Sequence, residues 1–285
     1  MKKISIAFVA FLCFHHIASA QKTTQVKEVL DAEKEYDRAV AQKGIKEGTL
    51  AVIDADAIVF KPEPVAANTY YTNSKKIPGK LTTVPKIARI SANGDLAFTA
   101  GAFTLKDNGT EDTEFGEYLS IWRKDINGKL KMIFNINMQH PEPKEEQTVD
   151  FKDPATGPKV KSNDPFNGRS IIVTTDKLFN SSLSLSSLSA YKEFITLDGR
   201  YYFPGFEPVI GQDKILRFIG NQAINIEALN TGAGRSTSGD LAYSYGKAKI
   251  KKGGTTNNYN YVRIWEPDKS YKWNMLVEIF SPIEK

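Results

Sequence analysis

The chain has 285 residues, a quarter of them charged, with a formal charge of +5 and only one cysteine and three histidines. A charge of that size is that of an ordinary soluble surface, and no run of basic residues interleaved with aromatics forms a nucleic-acid stripe. The scarcity of Cys and His excludes a disulfide framework, Cys-based zinc and multi-His metal sites.

In chain order, the first twenty residues read as an export signal. Lys2 and Lys3 start it, Ile4 to Phe14 is apolar, and Ala18-Ser19-Ala20 is a small-residue cleavage site before Gln21. The apolar run is too short for a stop-transfer helix. Cys13, His15 and His16 leave with it, so the mature chain retains His140 alone, with 36 basic and 33 acidic residues. The expectation is a periplasmic or secreted protein with no membrane span, metal or cofactor in the mature chain.

Val29, Tyr36, Ala39 and Val40 fall on one helical face, with Glu33, Lys34, Asp37 and Arg38 on the other. Lys46 to Ile53 predicts a second short helix, Ala57 to Phe60 a strand, and Asn68 to Ser74 a third helical segment. Alternation then takes over: strands over 86–90 and 96–105 flank Asn93-Gly94, a two-residue hairpin signal. Strands over 115–123 and 130–138 complete a meander. Pro141-Glu-Pro-Lys-Glu-Glu, Lys152-Asp-Pro and Asn163-Asp-Pro mark residues 142–170 as an extended linker. Thereafter the order repeats: a serine-rich helix from Asp176, its continuation Ala190 to Ile195, a strand over 200–203, a helix over 212–219, and four strands between Glu227 and Ile279.

The repetition is also literal. Ser91-Ala-Asn-Gly-Asp-Leu-Ala-Phe-Thr-Ala-Gly101 is answered by Ser236-Thr-Ser-Gly-Asp-Leu-Ala-Tyr-Ser-Tyr-Gly246, and Tyr118-Leu-Ser-Ile-Trp122 by Tyr261-Val-Arg-Ile-Trp265. The offsets, 145 residues between Gly94 and Gly239 and 143 between the tryptophans, suit two domains rather than a solenoid. Helices followed by an antiparallel meander predict an α+β class, with domains at 21–141 and 171–285.

The Gly-Asp-Leu hairpin and aromatic strand, in register, resemble the SnoaL-like branch of the nuclear transport factor 2-like superfamily. Pro208-Val-Ile-Gly-Gln-Asp-Lys-Ile215 resembles that family's entry into its third helix; Pro64-Val-Ala-Ala lacks the glycine, so the first copy's third helix is expected to be shorter or tilted. The resemblance implies two cones, each a curved sheet wrapped on helices around a pocket. It does not imply a reaction, because that superfamily holds isomerases, dehydratases, cyclases and proteins without assigned activity.

Three readings stay open at this stage. The first is binding of a small, mostly apolar molecule in a cone, with Tyr70, Tyr71, Trp122, Asn135, Asn137, Tyr243, Tyr245 and Trp265 as pocket candidates. In the second, Glu278, at the position of Asn135, serves as general base of an isomerase, dehydratase or cyclase. The third is a non-catalytic structural or assembly module whose domains pair as an intramolecular pseudo-dimer. Among other residues, His140 reads as a strand-end cap or an acid–base group. Glu117, Arg123 and Arg263 read as outer-face pairs or an anion grip. Gly232-Ala-Gly234 reads as a bulged edge, Asp54-x-Asp56 as a turn, and Asp107 to Asp112 as a hairpin tip.

Overall fold

The computed structural model describes residues 25–107, 113–155 and 167–283. The segment expected to direct export, most of the Asp107–Asp112 tip and residues 156–166 of the linker lie outside the described residues.

In the first unit, α1 (Val26–Lys43) stops at Gly44, where φ is 84°, and α2 (Ile45–Val52) leads into β1 (Ile53–Phe60). A short β2 (Pro64–Ala66) precedes α3 (Ala67–Asn73), and then come β3 (Lys80–Ile90), β4 (Leu96–Lys106), β5 (Thr113–Lys124) and β6 (Leu130–His140). The buried stripe of α1 is Val29, Glu33, Tyr36 and Val40. Glu33 therefore faces inward, not outward as its charge suggests. Helical spacing decides this: positions i, i+4, i+7 and i+11 share one face whatever they carry.

The linker contributes structure of its own. Its residues Asp150–Lys152 form β7, which pairs in parallel with β3 at Ile87, Ala88 and Arg89. The second unit starts with α4 (Asn167–Leu185), nine residues earlier than its apolar pattern announces, followed by α5 (Ser187–Phe194), β8 (Ile195–Tyr202) and β9 (Val209–Ile210). After α6 (Gln212–Asn221) come β10 (Ile224–Arg235), β11 (Ala242–Lys252), β12 (Thr255–Pro267) and β13 (Trp273–Pro282). α6 has ten residues and its counterpart α3 seven, so the copy lacking the glycine has the shorter helix.

Sheet one runs β2-β1-β6-β5-β4-β3-β7 and sheet two β10-β11-β12-β13-β8-β9. In both, the first long strand lies parallel to the last, while the meander is antiparallel. The glycine ending each repeated phrase has a steric cause. A Cβ on Gly101 would lie 2.3 Å from the Val84 carbonyl, and one on Gly246 2.1 Å from that of Leu229. Both carbonyls sit at bulges on the neighbouring strand, where the backbones approach too closely for a side chain.

Three apolar cores follow from this arrangement. One lies between α1–α3 and sheet one, and another between α4–α6 and sheet two. The third joins the sheets: Phe98, Leu119, Ile121, Phe134 and Ile136 meet Tyr202, Val262, Ile264, Val277 and Ile279. The layers are thus helices, sheet, sheet, helices. No helix among the described residues is long and apolar enough to cross a membrane.

Candidate functional site

The inward face of sheet two carries a charged cluster. Asp176 holds the i+4 place on the buried stripe of α4 that Glu33 holds on α1, between Ile172 and Phe179. Strand alternation puts Arg263 of β12 and Glu278 of β13 on the same face, directly paired across the ladder. Arg263 Nε donates to Glu278 Oε1 at 2.6 Å, and its Nη1 donates to Asp176 Oδ1 at 2.7 Å and to Asn180 Oδ1 at 2.6 Å. The guanidinium also lies 3.9 Å from the Tyr261 ring centre and 4.5 Å from that of Phe179.

Each acid has further donors. Tyr191 donates its hydroxyl to Glu278; Tyr261, Ser244 and Asn230 donate to Asp176 at 2.7 Å each. Burial pushes the Glu278 carboxyl upward against the opposing pull of Arg263. Asp176, Arg263 and Glu278 are all fully enclosed, with 0% exposure. Zero contact with a water-sized sphere means that no void of water size touches them. The cone that the resemblance predicts to be hollow is filled here by its own ion network.

The first unit repeats the arrangement with weaker partners. Thr99 donates to Glu33, and Trp122 Nε1 donates to Thr99 at 3.2 Å; Trp265 Nε1 donates likewise to Ser244 at 2.8 Å. Both tryptophans therefore fill core volume and end an acid–hydroxyl–indole chain. Where unit two has Arg263 and Glu278, unit one has Ser120 and Asn135, joined by a 2.9 Å bond from Asn135 Nδ2 to Ser120 Oγ. With no cation beside it, Glu33 is raised by burial to about 7. A cavity of about 10 Å³, room for one water at most, touches Asn135, Tyr71 and Thr49.

The remaining candidates separate. Tyr70 and Tyr71 meet edge to face on α3, 5.2 Å apart; Asn137 is exposed on β6. Tyr243 and Tyr245 do not reach the second cone; they point between the sheets, with ring centres 5.7 and 4.7 Å from Phe134. Strand parity is the reason, since Ser244 between them takes the inward place. Nor do Glu117 and Arg123 pair. Arg123 Nη2 donates to Asp54 at 2.7 Å and Asp56 at 3.2 Å, so the Asp-x-Asp pair, expected as a turn, lies instead in the irregular start of β1 and holds a guanidinium. Arg263, read as an outer-face residue, is instead the centre of the inner network.

His140 ends β6 as anticipated but is buried, its Nε2 3.2 Å from Glu117 Oε1 and its Nδ1 2.6 Å from the Pro141 carbonyl. Burial disfavours its charged form, yet the bonds to Glu117 and Pro141 outweigh that and its pKa is raised. Gln147 also donates to Glu117, at 2.8 Å, and Arg200 of the second unit bonds Gln147 and the Thr148 carbonyl. Linker and second unit thus close over this pair, a constraint that local sequence does not carry.

The repeated Gly-Asp-Leu loops meet each other. Ala92 N–H donates to Asp240 Oδ2 and Thr237 N–H to Asp95 Oδ2, both at 2.8 Å. Each aspartate also accepts from its own loop's serine, Ser91 at 2.7 Å and Ser236 at 3.0 Å. Residue i contacts j and j contacts i, the reciprocity of a two-fold interface. The loops have four residues, Ala92–Asp95 in the first, rather than the two that Asn93-Gly94 suggested; Ser91 N–H closes onto the Leu96 carbonyl at 2.8 Å.

No protein-family model matches this sequence, and no curated protein matches it. Among solved structures, a ketosteroid isomerase-like protein from Erwinia carotovora atroseptica is 15% identical with a TM-score of 0.37, over 41% of this chain and 96% of that one. An NTF2-like protein from Cytophaga hutchinsonii is 12% identical, TM-score 0.34, over 40% and 96%. An NTF-2 like protein of unknown function from Shewanella oneidensis MR-1 is 16% identical, TM-score 0.33, over 41% and 99%. Each spans about one unit of this chain. The chain carries two tandem α+β units, each with helices followed by a largely antiparallel sheet.

Proposed function

We propose that this is an exported, non-catalytic structural or assembly module in which each unit serves as the other's dimer partner. The observation that carries the reading is the closed interior of unit two. Glu278, the acid expected as general base, is bonded to Arg263 and Tyr191 and has no void beside it. A base must come within hydrogen-bond reach of the proton it abstracts. Here every approach is taken by protein atoms. The reciprocal loop contacts and the shared inter-sheet core further support an intramolecular pseudo-dimer.

The test is to produce residues 21–155 and 167–285 as separate chains, which keeps β7 with sheet one and leaves α4 whole. Each half alone exposes the apolar outer face of its sheet, so each is expected to self-associate or aggregate, and a mixture is expected to form a one-to-one complex by analytical ultracentrifugation. Folded, monomeric halves that ignore each other would overturn the reading.

A further inference from the structure

Two clefts flank the paired Gly-Asp-Leu loops, related by the internal repeat but different in charge. One is lined by Asp240 and Leu241 together with Arg89, Lys152, Glu266 and Asp268. There the linker supplies carboxylate: Asp150 on β7 accepts from Arg89 Nη2 at 2.7 Å, and Glu266 lies 3.4 Å from Arg89 Nε. The other cleft, about 350 Å³, is lined at the equivalent places by Asp95 and Leu96, but its charges are Arg123, Arg169 and Arg235. Arg123 stands where the first cleft has Glu266, and no β7 counterpart enters among the described residues.

Among the described residues, the arginine cleft lacks the linker carboxylate that the first cleft has. Arg123 is half occupied by Asp54 and Asp56, and Asp95 is committed to Ser91 and Thr237. Neither Arg169 nor Arg235 forms an ion pair among the described residues, and the Nε of Arg235 is buried with no hydrogen-bond partner. That Nε lies against Gly168 and not toward the cleft, but the guanidinium forks of Arg169 and Arg235, which line the cleft without a carboxylate partner, match an oxyanion. The wall beside them is apolar and aromatic: Leu96, Ile133, Ala233 and Tyr243. Arg123 and Arg169 both lie close enough to Tyr243 to act on its phenol electrostatically.

We infer that this inter-unit cleft binds a small organic anion, a carboxylate carried on a flat apolar body, with Arg169 and Arg235 gripping the carboxylate and Tyr243 and Leu96 covering the body. The volume falls at the lower end of small-molecule sites, which suits a ligand of one or two rings. The site lies outside both cones, so it is independent of whether either interior is catalytic, but it rests on the pairing of the two units proposed above.

The probe is 1-naphthoate, titrated calorimetrically into the mature protein at low salt, with 1-naphthylmethanol and inorganic phosphate as comparisons. Naphthoate is expected to bind with one-to-one stoichiometry, more tightly than either comparison, and to weaken in 0.5 M NaCl. R169Q and the R169Q/R235Q pair are expected to weaken it roughly tenfold or more, one lost charged hydrogen bond being worth about that, while K249Q on the outer face leaves it unchanged. R169Q alters an exposed side chain, so it reports even if the pair destabilises the fold. The proposal is overturned by absence of naphthoate binding, by equal binding of the neutral alcohol, or by undiminished affinity in R169Q.

Discussion

Glu33 and Glu278 illustrate how one fold position acquires different chemistry from its neighbours. Glu33 has only hydroxyls and Asp37 nearby, and burial raises its carboxyl to about 7 from 4.5. The folded protein keeps that proton while the unfolded chain releases it near 4.5. Stability therefore falls as pH rises from about 4.5 to about 7 and is level above, by about 3 kcal/mol in all. E33Q should abolish this slope, read as the urea midpoint against pH. His140, with its raised pKa, loses its own contribution as pH rises through that value, and this later slope should survive in E33Q. In unit two the acids have a cation instead. R263M strands Asp176 and Glu278 and should cost about 3–5 kcal/mol. R263M/E278L should cost about 2 kcal/mol less than the two single changes together, because Asp176 keeps its hydroxyl and amide donors. Strict additivity in denaturant unfolding would deny that Arg263 and Glu278 are coupled.

At the scale of elements, the repeated phrase was the clearest signal in the sequence, and its cause is contact as well as fold. Leu96 and Leu241 enter the shared core, Gly101 and Gly246 face bulges, and Asp95 and Asp240 accept backbone N–H groups from the opposite loop. D95A and D240A should each lose about 1–3 kcal/mol, the range for a hydrogen bond to a charged group and the N–H it leaves unpaired. Because the two bonds are separate, the double variant should approach the sum. A loss confined to one aspartate, with urea m-values unchanged, would break the proposed equivalence of the loops. The helices were legible from apolar spacing, but charge misdirected the reading of Glu33, since a carboxyl on a buried stripe looks like a surface residue until its partners are known. The start of α4 was misplaced because Gly168 is a poor helix former and Ile171-Ile-Val-Thr-Thr175 is a run of β-branched residues, which has no helical period of its own.

For the whole molecule, the units share a core in which strands from both sheets interdigitate, including the contact of Phe134 with Tyr243 and Tyr245. That contact moves the two tyrosines out of the second cone to the interface, where Tyr243 also lines the arginine cleft. Their strand and its alternation were readable; which face meets another sheet was not, because a partner surface leaves no local period.

The amino-acid order by itself determined the duplication, the α+β class and the strand sequence, since periodicity, turn residues and recurring motifs act over a few neighbours. The tertiary structure alone decided that an ion network closes the interior of unit two, that Arg263 turns inward between two acids, and that an arginine cleft opens between the units. Those outcomes depend on groups on different elements, such as Asp176 and Arg263, 87 residues apart, whose meeting is fixed by packing and not by any local pattern.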